Sequence, residues 1–450
     1  MRIKLDIPLT LAEIANAVGG RLNVPSTAIT HISTDSRITK PKDLFFALQG
    51  ENTDATQFMN DVKAIGAFTV GINGDISIKD TAHALLALAS HYKSKLLNLR
   101  RTVAITGSVG KSTTKEILAS ILSDEYKVHK TPDNFNNILG VSYSILSAPA
   151  DSEILILELG MNHKGEIEEL SKASTPDMAV ITNVGTSHIG NLGSRKDIAL
   201  AKLEIKAGLQ GSLVIPDGEP LLSKESAYRF STTSRTANLY VKRNEEIAYV
   251  YDVYENGNLR PYKFRADAYH VAQNASAAFS IAELCGFLPK SEYDFTAKSF
   301  NNTRQTLIKT KSVDILCDYY NASLESFMSG FKYAASLEYE HKSALIGDVL
   351  ELGDYTAPIH FEIGKAAVEF GFERLYIFGN FAKYVTLGAT SAGLDKKRIY
   401  INNDVSSPEI TAEQILSESI NGELIYAKAS HKLDLGRITD LLKEEKCQKQ

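Results

Sequence analysis

Residues 105–116, ITGSVGKSTTKE, decide the fold of the central part of the chain. An apolar run, TVAIT, ends at Thr106, a loop with two glycines follows, and a helical pattern begins near Lys111. Loop amides and a helix N-terminus together bind anions. A lysine there can contact β- and γ-phosphates, and a hydroxyl can ligate Mg²⁺. The predicted nucleotide contacts are Gly107, Ser108, Gly110, Lys111, Ser112 and Thr113.

The loop departs from the usual phosphate-binding pattern G-x-x-x-x-G-K-[ST], because Ile105 stands at the first glycine position. The alternative interpretation is a tight strand-to-helix turn with an exposed lysine. The coincidence of a strand, two glycines, a lysine and two hydroxyls favours a nucleotide site. An N-K-x-D stretch, which guanine recognition would favour, is absent from the sequence, so a kinase or GTPase is the weaker hypothesis and ATP is expected.

Apolar strands alternate with helices outward from this loop. EILILEL (153–159) and MAVITNV (178–184) are each followed by a helical pattern, which indicates a parallel sheet covered on both faces. Residues 212–265 have a more polar alternation and predict an antiparallel flank. A second alternating series begins near residue 312 and predicts a Rossmann-like unit. The predicted fold is α/β in three domains, over residues 1–80, 81–300 and 301–450.

Composition sets the broad class. The 450 residues are 44% hydrophobic and 23% charged, with a net charge of −5, which excludes a mainly disordered chain and makes nucleic acid a poor partner. Cys285, Cys317 and Cys447 lack metal-ligand spacing and suit a reducing compartment. The N-terminus lacks signal-peptide features, and no apolar run reaches the roughly 18 residues of a membrane span. We expect a soluble, cytoplasmic protein.

The order of further motifs carries a family resemblance. STDSR (33–37) comes first, followed by the phosphate loop, NFNNILG (134–140), LELGMNHKGEIEEL (157–170), ITNVGTSHIGNLGS (181–194) and AKLEI (201–205). YHVAQNASAA (269–278), NNTRQ (301–305), CDYYNASLESF (317–327), IGDVLELG (346–353) and AKASH (427–431) complete the series. In this order the chain resembles the Mur ligases of peptidoglycan synthesis, and most of all the branch that joins D-Ala-D-Ala to UDP-N-acetylmuramoyl-tripeptide.

The resemblance implies a three-domain, ATP-dependent amide ligase with two Mg²⁺ ions. We expect the chain to be a monomer. A carboxylate would take the γ-phosphoryl group, and an amine would then attack the acyl phosphate. Lys111 would hold phosphate oxygens, Ser112 and Glu158 would ligate Mg²⁺, and His188 would ligate a second ion. Lys202 matches the family lysine that becomes carbamylated, which would make it an oxygen ligand.

The resemblance also assigns binding residues. Asn274 would lie near adenine in an H-x-x-x-N spacing with His270, Arg304 would contact phosphate, and Asp318 the ribose, with Asn321 in the same loop. The remaining residues are expected on the side of the UDP-muramoyl-peptide and D-Ala-D-Ala substrates. They are Ser33, Asp35, Ser36, Arg37, Asn134, Asn137 and Ser430.

Several departures from the family pattern are visible, and those on the sugar-nucleotide side leave the donor open. Ala55 and Thr56 replace a glycine and a histidine of the N-terminal loop, Ile138 stands where the family has a glutamate, and Ala429 replaces a glycine. A related ligase with another carboxylate donor is therefore the main alternative. The folylpolyglutamate synthetase branch lacks the STDSR domain, and a scaffold without turnover fits poorly with an intact Lys111, Glu158, His188 and Arg304.

Overall fold

The computed structural model describes residues 1–50, 54–296 and 306–444, so Arg304 and Cys447 lie outside the described residues. Its contacts group into two compact units. Unit 1 contains Met1–Thr182, Leu200–Tyr240 and Asn274–Pro289, and unit 2 contains Asn183–Ala199, Val241–Gln273 and the chain from Lys290 onward. The three predicted domain ranges stay a prediction.

The N-terminal part of unit 1 is a six-stranded sheet in the order β1-β3-β4-β5-β6-β2, with β3 to β6 parallel and β1 and β2 antiparallel to their neighbours. Its elements are β1 (Arg2–Thr10), α1 (Leu11–Val18), β2 (Arg21–Leu22), β3 (Ala28–Ser33), β4 (Leu44–Phe46), α2 (Met59–Ala64), β5 (Phe68–Gly71), β6 (Ile76–Ser77) and α3 (Thr81–Lys93). The side chain of Thr10 accepts a hydrogen bond from Glu13 N, which explains why α1 begins there.

The central sheet follows. Its elements are β7 (Arg101–Thr106), α4 (Lys111–Leu122), β8 (Val128–Lys130), α5 (Ile138–Leu146), β9 (Ile154–Glu158), α6 (Glu166–Ser174), β10 (Met178–Ile181), α7 (Ile189–Leu192), α8 (Arg195–Leu203), β11 (Ser212–Pro216), β12 (Tyr228–Ser231) and β13 (Leu239–Arg243). The strand order is β13-β12-β11-β10-β7-β9-β8. Every residue of β9 and β10 is buried, as expected for inner parallel strands with helices on both faces.

The prediction of an antiparallel flank over residues 212–265 was wrong for its first half. Strands β11, β12 and β13 continue the sheet in parallel pairs. Polar alternation arises whenever one face of a strand meets water, so it does not report the direction of the neighbouring strand. In unit 2 an antiparallel pair does form next, between β14 (Val250–Glu255) and β15 (Asn258–Arg265).

The rest of the chain contains a long helix, a short strand that pairs with β15, and the C-terminal sheet of unit 2. Its elements are α9 (Tyr269–Leu284), β16 (Glu292–Asp294), β17 (Thr306–Lys309), β18 (Val313–Cys317), α10 (Leu324–Ser336), β19 (Lys342–Gly347), α11 (Thr356–Glu369), β20 (Arg374–Phe378), α12 (Ala382–Ser391), β21 (Ile399–Asn402), α13 (Pro408–Glu418), β22 (Glu423–Lys428) and α14 (Gly436–Glu444). The order is β17-β18-β22-β19-β20-β21, with only β17 antiparallel.

The predicted α/β class and the mainly parallel character of the central and C-terminal sheets are confirmed. In such sheets the carboxyl ends of the parallel strands face the ligand crevice. These ends carry Thr106 in β7, Glu158 in β9 and Lys428 in β22. Within the described residues, no helix is both long enough and apolar enough to cross a bilayer.

Candidate functional site

The loop between β7 and α4 requires glycine at two positions. Gly107 has φ +154°, and a Cβ there would lie 1.8 Å from Thr182 Oγ1. Gly110 has φ +84°, and its Cβ would lie 2.3 Å from Asn274 Oδ1. The loop backbone therefore runs directly against Thr182 and Asn274, and side chains at either glycine would displace it. The structure thus brings Asn274, the predicted adenine contact, to the phosphate loop.

Lys111 is the first residue of α4 and folds back over this loop. Its Nζ donates to the carbonyl oxygen of Gly107 at 2.8 Å. Gly110 caps the helix without a side-chain hydrogen bond, so the first amides of α4 point outward from a helix N-terminus. Ser108 and Thr113, the other predicted loop contacts, are both buried. The arrangement can bind an oxyanion through amides and one cation.

Glu158 lies at the centre of a buried polar cluster beside the loop. Ser112 Oγ donates to Glu158 Oε2 at 2.6 Å, and Asn136 Nδ2 donates to Glu158 Oε1 at 2.9 Å. A hydroxyl beside a carboxylate is a hard oxygen donor set, which suits Mg²⁺. No cluster of three or more histidine, cysteine or acidic side chains with metal-binding geometry occurs in the described ranges. Mg²⁺ usually needs only one or two protein carboxylates when phosphates supply the rest, so the residues present fit it.

Lys115 is a further member of this cluster that the sequence interpretation missed. It is 1% exposed, its Nζ donates to the carbonyl oxygen of Asp133 at 2.7 Å, and it lies 3.8 Å from Glu158 Oε2. Burial lowers the pKa of Lys115, and the Glu158 carboxylate opposes that shift. A buried cation therefore faces Glu158 from the side of α4.

The other predicted residues of unit 1 are placed differently. Lys202 lies near the end of α8 and is 2% exposed, so its side chain is buried away from solvent. Asn137 caps α5, where its Oδ1 accepts from Gly140 N at 2.9 Å. Asn134 is exposed. Of the three asparagines in NFNN, Asn136 contacts Glu158, and the two that the sequence interpretation selected do not.

In unit 2, His188 forms a hydrogen bond with a residue that the sequence interpretation did not select. Its Nδ1 lies 2.6 Å from Glu351 Oε2. His188 has φ +61° and Glu351 has φ +63°. Both backbone conformations lie in the left-handed region, which residues other than glycine rarely adopt. Glu351 belongs to IGDVLELG, a motif quoted above without a role for this residue, so its place in the motif was the available indication.

Asp318, the nucleotide residue predicted at the end of β18, belongs to a second buried cluster in unit 2. Asp318 Oδ2 accepts from Tyr426 Oη at 2.8 Å and from Lys428 Nζ at 3.0 Å. Lys428 also donates to the carbonyl oxygen of Asn321 at 3.0 Å, so it ties the D-Y-Y-N loop to the end of β22. Burial raises the pKa of Tyr426 well above its ordinary value. Ser430 Oγ accepts from Leu350 N at 3.0 Å.

His270, the partner of Asn274 in the H-x-x-x-N spacing, lies in unit 2 at the start of α9. Burial lowers the pKa of His270, whereas the carboxylates of Asp318 and Asp267 act in the opposite direction. Desolvation is the largest of these influences, so the neutral imidazole is favoured.

The N-terminal motif forms a closed local network. Ser33 is fully buried, and its hydroxyl accepts from Thr39 Oγ1 at 2.8 Å and donates to the carbonyl oxygen of Met1 at 3.2 Å. Asp35 accepts from Arg37 Nε at 2.9 Å and from its Nη2 at 2.7 Å. These bonds to Arg37 lower the pKa of Asp35 to about 2. Ser36 begins the short turn between them, and Arg37 is the exposed member of the motif.

The departures at Ala55 and Thr56 have a local structural explanation. Ala55 packs in a cluster of buried apolar residues that includes Phe45 and Met59. The Thr56 hydroxyl donates to Asp54 Oδ1 at 2.6 Å, and Thr56 N donates to the same oxygen at 2.9 Å. Asp54 therefore caps the turn Ala55–Phe58, and Thr56 reinforces that cap.

Comparison with known proteins identifies the family to which the chain belongs. The description "Mur ligase middle domain" matches residues 105–282. A Bacillus subtilis protein named UDP-N-acetylmuramoyl-tripeptide–D-alanyl-D-alanine ligase is 34% identical over 96% of this chain and 98% of its own length. This chain belongs to the Mur ligase family, in its MurF branch. The sequence-based recognition of that family is confirmed.

Solved MurF structures support the same fold. A crystal structure of MurF from Acinetobacter baumannii aligns with a TM-score of 0.83 at 25% identity, over 98% of this chain and 100% of that one. The Thermotoga maritima MurF ligase, solved in complex with ADP, aligns with a TM-score of 0.78 at 25% identity, over 92% of this chain and 97% of that one. The MurF fold therefore extends over nearly the whole chain.

Proposed function

We propose that this chain joins D-alanyl-D-alanine to UDP-N-acetylmuramoyl-tripeptide and converts ATP to ADP and phosphate. The observation that carries the proposal is the similarity to MurF proteins along almost the full length, 96% of this chain against the Bacillus subtilis relative. The site residues add chemical support, because Lys111, Ser112 and Glu158 lie together at a phosphate loop.

The chemistry divides into two steps. The terminal carboxylate of the tripeptide attacks the γ-phosphorus of ATP, the bond to the β-phosphate bridging oxygen breaks, and ADP leaves. The amine of D-alanyl-D-alanine then attacks the acyl carbon, loses a proton, and expels phosphate. Both steps need phosphate charge to be neutralised in a site that excludes water. The loop amides and Lys111 bind phosphate oxygens, and Asn274 and Thr182 support the loop from behind.

Mg²⁺ and a carbamylated lysine belong to the proposal. Ser112 and Glu158 would hold Mg²⁺, which when bound supplies charge neutralisation at the phosphates. Asn136 donates to the second carboxylate oxygen and so orients Glu158. Carbamylation would turn the buried Lys202 amine into an anionic oxygen ligand for a metal ion. His188 of unit 2 is proposed as a ligand to the second ion.

We also assign the reaction to the cytoplasm, with the chain acting as a monomer. ATP and a UDP-linked peptide are its proposed substrates, and Cys285 and Cys317, the cysteines within the described residues, form no disulfide. Free thiols are typical of reducing compartments.

The test is a phosphate-release assay with ATP and UDP-N-acetylmuramoyl-tripeptide, with and without D-alanyl-D-alanine, and with product mass measured in parallel. Phosphate release that depends on both substrates, together with the mass of the pentapeptide product, is the expected result. Hydrolysis of ATP that neither substrate stimulates would contradict the proposal.

A second candidate is a Mur-type ligase with another carboxylate donor. Ala55 and Thr56 favour it, because Thr56 is bonded to Asp54 and offers no imidazole to a ligand. Calorimetry with UDP separates the two candidates. The first expects UDP to bind, and the second expects no heat with UDP while ATP still binds.

A further inference from the structure

The segment that carries His188 is fastened to the loop before α11, and both lie in unit 2. Gly190 N donates to the carbonyl oxygen of Glu351 at 3.0 Å, and Tyr355 Oη donates to that of Gly193 at 3.0 Å. A Cβ at Gly190 would lie 2.6 Å from the Glu351 oxygen, so glycine permits this approach. The two backbones therefore fix the position from which Glu351 reaches His188.

Both residues of this contact have a strained backbone conformation. His188 and Glu351 are non-glycine residues with φ near +60°. Such conformations cost on the order of 1–3 kcal/mol each and persist where the surroundings hold them, often at functional sites. An exposed histidine–carboxylate pair contributes little to stability by itself. The stabilising effect of the His188–Glu351 hydrogen bond therefore does not explain the strained geometry.

The contact has a specific chemical consequence for the imidazole. A carboxylate can only accept a hydrogen bond, so at 2.6 Å from Glu351 Oε2 the His188 Nδ1 carries a proton. In the neutral ring the lone pair is then on Nε2. A histidine whose other nitrogen donates to a carboxylate is the usual arrangement for a ligand to a metal ion, because the carboxylate fixes both tautomer and orientation.

We propose that Glu351 is a positioning residue that holds His188 in the Nδ1–H tautomer and presents Nε2 as the ligating nitrogen. The inference rests on the proposed function, in which His188 ligates the second ion. Glu351 itself touches neither substrate nor ion in this proposal. It acts through His188 alone.

The chain contains a matched control. His341 Nδ1 lies 3.2 Å from Glu373 Oε2, and the side chains of this pair are exposed to a similar degree. Neither residue has a positive φ, and neither belongs to a motif of the site. Glu373→Ala therefore removes the same kind of contact without touching the proposed machinery.

The first measurement is ¹⁵N NMR of the imidazole rings in the full chain, without metal or nucleotide, at about pH 8.5. A His188→Gln spectrum assigns the resonances of His188. We expect the Nδ1–H tautomer in the wild type, a shift towards Nε2–H in Glu351→Ala, and retention in Glu351→Gln, whose amide oxygen still accepts. An Nε2–H ring or an imidazolium in the wild type would overturn the proposal.

The second measurement is the Mg²⁺ concentration for half-maximal phosphate release. Loss of an outer partner of a metal-bound histidine costs about 10- to 100-fold in affinity, and we expect that rise in Glu351→Ala, a smaller one in Glu351→Gln, and none in Glu373→Ala. Equal effects of Glu351→Ala and Glu373→Ala would contradict the inference. If the wild type fails to ligate the proposed substrates, the proposed function fails, and the substrate-free NMR result still decides the role of Glu351.

Discussion

The phosphate loop and the N-terminal STDSR motif, both in unit 1, use polar side chains in opposite ways. At the phosphate loop, side chains from separate elements converge on one carboxylate: Ser112 from α4 and Asn136 from the loop before α5 both bond to Glu158 at the end of β9. In the STDSR motif, Ser33 and Asp35 bond mainly to residues within six positions along the chain.

The difference teaches how to interpret retained motifs. Bringing buried polar groups together from distant parts of the chain costs desolvation, so such a cluster persists where chemistry requires it. A short loop that satisfies its own hydrogen bonds can persist for structural reasons alone. The phosphate loop therefore supports function more strongly than the N-terminal motif does, and the following predictions test that contrast.

The largest effect is expected for Lys111→Ala. Removing one cation from the phosphate site should cost several kcal/mol of transition-state stabilisation, on the order of 10³-fold or more in kcat/KM. Lys172→Ala, which removes an exposed lysine paired with Glu168 on α6, is the control and should retain activity. Phosphate release measures the activity of both variants, and circular dichroism measures whether they are folded. A folded Lys111→Ala enzyme with a kcat/KM within tenfold of the wild-type value would contradict the assignment of the ATP site.

The next effect is expected for Lys202→Ala. Loss of a carbamate ligand to a hard metal ion should cost several kcal/mol, or about 10²-fold or more in kcat. Short-chain carboxylic acids should restore part of this activity, because they return an oxygen ligand to the vacated space. Rescue is measured by phosphate release across acetate and formate concentrations. Electron density without added atoms on Lys202, in crystals grown with nucleotide, Mg²⁺ and bicarbonate, would count against the modification.

The sequence was sufficient to predict the helix and strand that carry the site, but it was insufficient to predict which side chains contact one another there. The helix predicted at residues 111–122 is α4, and the strand predicted at 153–159 contains β9, because both carry strong local patterns. Lys115, Asn136 and Glu351 were missed. Helical periodicity predicts the helix face on which Lys115 lies, but it does not predict that Glu158 lies opposite that face. The three asparagines in NFNN are equivalent in the sequence, and only the folded loop shows which of them contacts Glu158.

Strand direction was the other failure. Residues 212–243 form parallel strands, although their polarity resembles that of an antiparallel hairpin region. Pairing direction depends on connections through space that a single strand does not encode. Arg304 stays a prediction outside the described residues.

A smaller effect is expected in the N-terminal sheet from the double change Ala55→Gly with Thr56→His. If the donor is UDP-linked, an added imidazole contact should lower the donor KM about ten- to hundredfold, since one hydrogen bond to a charged group is worth roughly 1.5–3 kcal/mol. Calorimetry with UDP and the UDP-tripeptide measures it. Ala55→Gly alone is the control, because it removes only the buried methyl group. Unchanged binding in the double variant would favour another donor.

The smallest effects separate Ser33 from Arg37 within one motif. Ser33→Ala should lower the free energy of unfolding by about 1–3 kcal/mol, because its buried hydroxyl joins Thr39 to the chain start, and should leave the donor KM unchanged. Arg37→Ala should do the reverse, with an unfolding midpoint near that of the wild type and a donor KM raised about tenfold.

The pH dependence sharpens this last test. The pKa of Asp35 is lowered to about 2, so its pairing with Arg37 is complete above about pH 4 and is lost only as pH falls towards 2. The effect of Arg37→Ala on the donor KM should therefore be constant between pH 5 and pH 8, which titration of KM in both enzymes measures. A larger stability loss in Arg37→Ala than in Ser33→Ala would show that the whole motif is structural, and that donor binding depends on other residues of the sheet.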